Sequence, residues 1–245
     1  MASDESQLRF EPCAKRVRAI TNDVAIVDTL RAVVVAGPGY LPVYYFPPAD
    51  VRTNLLKPSE HRSRHAQLGE ATHWSLEIGD KRIDKAAWSY RDPPAAAERI
   101  KDFIAFERQK IDHWFEEDEE VFGHPRDPRH RVDVRRSSRV VSASFAGETI
   151  AFSSRAMFLF ETGHPTRYYF PPEDVRRDVL VARDRRTTCP YKGHASYWSL
   201  KLGDRVAEDA VWAYLDPLPD CPQIKGYFCF YPEKLDRLEV EGENL

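Results

Sequence analysis

The chain has 245 residues, is 42% hydrophobic and 31% charged, and carries a formal net charge of −3. That length exceeds one ordinary domain of ~100–200 residues, and the slightly acidic balance supplies no field that would gather nucleic acid or an anionic membrane. No stretch approaches the ~18 consecutive apolar residues of a membrane-spanning helix, and the four cysteines lack the close pairs that a zinc site or a disulfide framework would need.

In chain order, the polar and acidic residues 1–14 read as a tail that is no signal peptide, so the expected location is cytoplasmic with reduced thiols. A first domain is expected over residues 15–121. It opens its core with Arg31-Ala-Val-Val-Val-Ala-Gly37 and continues through Tyr44–Arg52, reading YYFPPADVR. The acidic run Glu116–Glu120 and the Pro- and Arg-rich segment after it read as a solvated linker over residues 122–135. A second domain is expected over residues 136–245, because YYFPPEDVR recurs at Tyr168–Arg176, an offset of 124 residues (44 to 168). Trp74-Ser75-Leu76 returns as Trp198-Ser199-Leu200, and Trp88-x-Tyr90-x-Asp92-Pro93 as Trp212-x-Tyr214-x-Asp216-Pro217. A period this long marks tandem domains, since solenoid repeats run to only ~20–50 residues.

Within each copy the local signals favour strands. Arg155–Glu161 is a short apolar run bounded by polar residues, Tyr197–Gly203 alternates and then turns at Gly-Asp, and Ala210–Leu215 alternates before an Asp-Pro stop. Prolines and acids at Pro171–Asp174 predict one short helix per copy, here Pro172 to about Leu180. Eighteen prolines argue against long helices. The predicted class is mainly β: two small homologous β-barrel or β-tent domains with short helices.

The segment Cys189-Pro190-Tyr191-Lys192-Gly193 places a thiol, an ammonium and a flexible glycine in one loop. Two readings stand from residue type alone: a thiolate stabilised by the lysine, or a buried small hydrophobe beside a surface charge.

Arg155, Glu161-Thr162-Gly163, Arg167-Tyr168-Tyr169-Phe170-Pro171, Glu173-Asp174-Val175, Cys189-Pro190-Tyr191-Lys192-Gly193 and Tyr197-Trp198 together resemble the DUF427 family. This is a domain of unknown function that has also been labelled nucleotidyltransferase domain 9. His124-Pro125-Arg126-Asp127-Pro128 with His130-Arg131-Val132-Asp133 resembles the join of its tandem members. The resemblance covers nearly the whole chain and implies a compact β-barrel-like or β-tent fold. The transferase label would require a glycine-rich phosphate loop and paired metal-holding carboxylates, and the sequence has neither.

The two copies can be compared position by position. Arg31/Arg155, Asp50/Asp174, Gly69/Gly193, Trp74/Trp198 and Trp88/Trp212 are shared, while Cys189 faces His65, Lys192 faces Leu68, Tyr197 faces His73, Glu161 faces Gly37 and Arg167 faces Val43. The polar set of the second copy is absent from the first, so the candidate catalytic residues are Cys189, Lys192, Tyr197 and Glu161. Candidate binding residues are Arg31, Arg155, Arg167, Tyr168, Tyr169, Trp198 and Trp212, with Glu161 expected to orient Arg155. His61, His65 and His73 offer a competing proton-shuttling site in the first copy, with His65 and His73 also counted among the candidate binding residues. The first expectation is a small-molecule ligand in an aromatic-lined pocket, with acid/base isomerisation or cyclisation needing neither cofactor nor metal. A non-catalytic binding module is the second reading and single-stranded nucleic-acid binding the third. A homodimer stays open.

Overall fold

The computed structural model of the protein describes residues 7–245, so residues 1–6 of the expected tail lie outside it. The chain divides into two compact units, Met1–Pro128 and Arg129–Leu245. Both are mainly β, and their only helical pieces among the described residues are short 3-10 turns.

In the second unit a seven-stranded antiparallel sheet runs in the order Val132–Arg136, Met157–Glu161, Arg167–Phe170, Phe228–Phe230, Arg205–Tyr214, Gly193–Leu202 and Leu180–Cys189. A four-stranded sheet follows the order Glu148–Ser153, Val141–Phe145, Arg237–Val240 and Glu243–Asn244. The first unit repeats these elements, but its large sheet is split. Arg9–Pro12, Val33–Gly37 and Tyr40–Tyr45 form one piece, and Leu56–His65, Gly69–Ile78, Lys81–Tyr90 and Ile104–Phe106 the other. The bridge Phe46–Ile104 connects them.

Strand alternation makes two cores per unit. In the second unit Phe158, Phe170, Val211, Phe228 and Phe230 join Val141, Phe145, Ile150 and Leu238 of the small sheet. Their sequence neighbours Leu159, Tyr169, Trp212 and Cys229 belong to a second core, completed by Tyr197, Tyr214, Cys221 and Ile224. Two-residue hairpins set the register. Asn22 and Asp23 both take positive φ between Val17–Thr21 and Val24–Thr29, as Ala146 and Gly147 do in the second copy, the backbone of a type I′ turn.

Three expectations change. The large sheet is open, ending on Val132–Arg136 and Leu180–Cys189, and is not a closed barrel. The latter edge carries exposed Arg183, Arg185 and Arg186, charges that discourage further strand pairing. The helix from Pro172 to Leu180 is replaced by the turns Pro172–Asp174 and Arg177–Val179 and then a strand. Val175 is extended and bridges Ala151, while the Arg176 amide donates to the Ile150 carbonyl at 2.8 Å, so the donors a helix would need are committed across to the neighbouring strand. Finally, the domains reach beyond their expected limits. Arg9–Pro12 pairs with Val33–Gly37, and Val132–Arg136 pairs with Met157–Glu161, so parts of the expected tail and linker are strands.

Candidate functional site

On the second core's face the second unit holds a cavity of about 150 Å³ lined by Glu161, Arg167, Tyr169, Lys192, Tyr197 and Trp212, with Leu159, Tyr214 and Tyr231 completing the wall. Each side chain arrives by simple geometry. Leu159 and Glu161 sit two apart on one strand, as do Arg167 and Tyr169, and Trp212 and Tyr214, so each pair faces the same way.

Lys192 reaches the cavity from the turn joining Leu180–Cys189 to Gly193–Leu202. Gly193 has φ +100°, a backbone conformation that strains any residue with a side chain, and a Cβ there would touch the Asp216 carbonyl at 3.4 Å. The Leu218 amide donates to the Lys192 carbonyl at 3.1 Å, and the Cys221 thiol to the Tyr191 carbonyl at 3.7 Å. The turn is thus pinned from outside and its lysine goes inward. Lys192 is 7% exposed, and a buried ammonium requires a partner.

That partner is Glu161, whose second oxygen receives His130 Nε2 at 3.0 Å. Burial pushes the Glu161 carboxyl up, but Lys192 and then His130 outweigh it and hold it below the usual carboxylate range. The His130 ring stacks on Tyr191 with centroids 4.4 Å apart. Lys192, Glu161 and His130 form a closed chain at one end of the cavity.

Arg167 enters differently. Its guanidinium lies 5.6 Å from the Trp212 ring centroid and makes no hydrogen bond or ion pair among the described residues. Trp212 Nε1 donates to the Tyr169 hydroxyl at 3.2 Å, Tyr197 and Thr187 hydroxyls lie 2.8 Å apart, and Tyr231 packs on Trp212 at 4.4 Å. Burial raises the phenols of Tyr169, Tyr214 and Tyr231, the last to about 12, so all three remain protonated at neutral pH.

The other named residues lie elsewhere. Arg155 does not meet Glu161. It grips Asp174 through Nε at 3.1 Å and Nη2 at 2.8 Å and reaches Glu173 at 3.0 Å, and Arg31 does the same with Asp50. Arg155 precedes its strand, so its side chain folds onto the proline turn, and this pair explains why both copies keep Arg and Asp. Tyr168 and Trp198 point to the opposite face of the sheet, onto Phe158 and Phe228, because they alternate with Tyr169 and Tyr197. Cys189 is half-buried and packs against the second core without lining the cavity, while Lys192 is buried and is not the surface charge of the second reading.

In the first domain the equivalent space is filled. Leu68 takes the place of Lys192 and is fully buried with Leu8, Val35, Tyr45 and Tyr90. A side chain at Gly37, at the place of Glu161, would crowd Leu8, its Cβ falling 2.9 Å from Leu8 Cδ2 and 3.1 Å from Leu8 Cα. His65 packs edge-on to Tyr40 at 5.1 Å. His73 bonds Ser63 at 2.8 Å and meets His61 ring to ring at 4.6 Å. Its Nδ1 is buried without a partner, and desolvation and then His61 lower its pKa. No group of three or more metal-ligating side chains gathers among the described residues.

Sequence reasoning passed over His130, Tyr214 and Tyr231. Tyr214 was accessible from its spacing to Trp212, and Tyr231 from its contrast with Glu107 in the first copy. His130 carried no signal, because only the fold brings it to Glu161.

A family model described as a domain of unknown function, DUF427, matches residues 9–117 and again residues 133–241. No curated protein matches the chain.

Proposed function

The chain belongs to the DUF427 family in both of its halves, and from that premise we propose that its second domain is a small-molecule-binding domain whose ligand occupies the cavity between Arg167 and Lys192. The observation that carries this reading is the contrast at one position of one fold. Lys192 with Glu161 lines a cavity in the second domain, where Leu68 lies in a hydrophobic core and Gly37 sits against Leu8 in the first. A buried ion pair is weak as a source of stability, because desolvating both charges offsets most of their attraction. Its presence beside a cavity therefore favours recognition over scaffolding.

The same groups define the chemistry open to such a site. Lys192 can donate a proton to a carbonyl oxygen, Glu161 can take one from the adjacent carbon, and protonated phenols can hydrogen-bond the oxygen on which charge develops. This is the equipment of a cofactor-independent isomerase or cyclase acting on a carbonyl compound. The four free thiols fit a reducing compartment, which we take to be the cytoplasm. No helix among the described residues is long and apolar enough to cross a membrane.

The test separates binding from turnover. Exchange of carbon-bound hydrogen in D2O, followed by NMR over a panel of small ketones and oxo acids, should proceed with the native protein and fail with Lys192→Met. Binding of those compounds without any exchange would leave a binding module. If none bound, the cavity would have no ligand role of this kind.

A further inference from the structure

Resting on the reading of the cavity as a ligand site, we propose that its ligand is a ring-sized organic monoanion whose carboxylate is held by Arg167. The cavity wall carries three side chains of the charge-bearing kind, Arg167, Lys192 and Glu161. Lys192 and Glu161 balance each other's charge, and His130 takes the remaining carboxylate oxygen. Arg167 is left as a cation 5.6 Å from the Trp212 ring centroid, with no hydrogen bond or ion pair to a protein group among the described residues. A guanidinium presented in this way matches a carboxylate with two parallel hydrogen bonds.

The polar wall is also biased towards donors. The Tyr214 hydroxyl makes no hydrogen bond among the described residues, and the Tyr169 oxygen, which accepts from Trp212, keeps its own proton for donation. Burial keeps both phenols neutral. The Glu161 carboxylate, the strongest acceptor in the wall, is already engaged. Such a site takes a ligand rich in acceptors and leaves amines without a partner.

Size and charge narrow the class further. A space of about 150 Å³ accommodates a benzene-sized ring, and Trp212, Tyr231 and Tyr169 supply aromatic surface for it. A second negative charge would have to draw Lys192 away from Glu161 and strand a buried carboxylate, so dianions and phosphate esters are disfavoured. At the equivalent position the first domain has Val43, consistent with the absence of a site there.

The experiment titrates the full chain with benzoate, its neutral isostere benzamide, the cation benzylamine and the dianion phthalate. Binding is read from the 1H–15N signal of the Trp212 indole. Benzoate should bind at least about tenfold more tightly than benzamide, the scale expected of one charge-assisted carboxylate contact, with benzylamine and phthalate weaker still. Arg167→Gln should erase the preference for benzoate while leaving benzamide binding in place, and Arg167→Lys should restore part of it. Equal binding of benzoate and benzamide, or preference for benzylamine or phthalate, would overturn the monoanion assignment and leave the cavity as a ligand site. No response to any of the four would overturn both readings.

Discussion

The turn His65–Gly69 of the first domain and the turn Cys189–Gly193 of the second share one backbone. Both pair their end residues across an antiparallel hairpin, and both need glycine at positive φ. They differ in what the fourth residue sends inward. Leu68 completes a hydrophobic core with Leu8, whereas Lys192 meets a carboxylate at the edge of a cavity. The lesson is that the same order of strands can be kept while the interior is reassigned. Several exchanges, among them Leu68 against Lys192, Gly37 against Glu161 and Val43 against Arg167, separate a hydrophobic wall from a polar site.

The contrast can be broken most severely by forcing the second domain's residue into the first. Leu68→Lys should cost on the order of 5 kcal/mol, because the ammonium would be buried where Gly37 supplies no carboxylate. Hydrogen exchange measured by mass spectrometry, peptide by peptide, should show the first domain opening and the second unchanged. The reverse exchange, Lys192→Leu, should destabilise the second domain by about 3–5 kcal/mol by stranding Glu161. Adding Glu161→Gln should recover part of that loss in denaturant unfolding. Recovery would show that the penalty lies in the orphaned charge.

Smaller perturbations sharpen the comparison. Leu8→Ala should cost about 2–3 kcal/mol and open a void beside Gly37 in the first domain. Increased xenon or benzene uptake by this variant would check that Leu8 is the plug. Gly69→Ala and Gly193→Ala should each cost about 1–2 kcal/mol, since both positions have positive φ. Markedly unequal losses would show that the shared turn is not equivalent in the two domains.

The smallest effect concerns pH. Folded His73 lies below its ordinary 6.5, so the unfolded chain binds that proton more readily and the first domain should lose stability as pH falls below 6.5. Folded Glu161 lies below its ordinary 4.5, so its contribution to the second domain is present above 4.5 and is lost only as pH falls further. Domain-resolved hydrogen exchange between about pH 5 and 7 should show the first domain weakening before the second, and His73→Tyr should remove the difference.

Much of the fold was legible because its signals are local. Alternation marked the strands, Gly-Asp marked a hairpin, and the offset of the two YYFPP blocks marked the duplication. The same alternation could have divided the site, since Tyr169 and Tyr197 face the cavity while Tyr168 and Trp198, one residue away, face the other core. The proline turns misled for a non-local reason: Arg176 donates to Ile150, a partner that exists only once the strands have assembled. The Arg155–Glu161 pairing failed similarly, because strand parity says nothing of Asp174, which the folded turn brings to the guanidinium.

By itself the sequence determined two β domains and the positions at which they differ, because periodicity, turn chemistry and repetition are all written in neighbouring residues. Only the tertiary structure decided what those differences mean. The pairing of Lys192 and His130 with Glu161, and the absence of an ion pair to Arg167 among the described residues, depend on which side chains meet across the sheet from distant parts of the chain. Burial then makes those meetings consequential, since a charge that water would screen must there find a partner or await one.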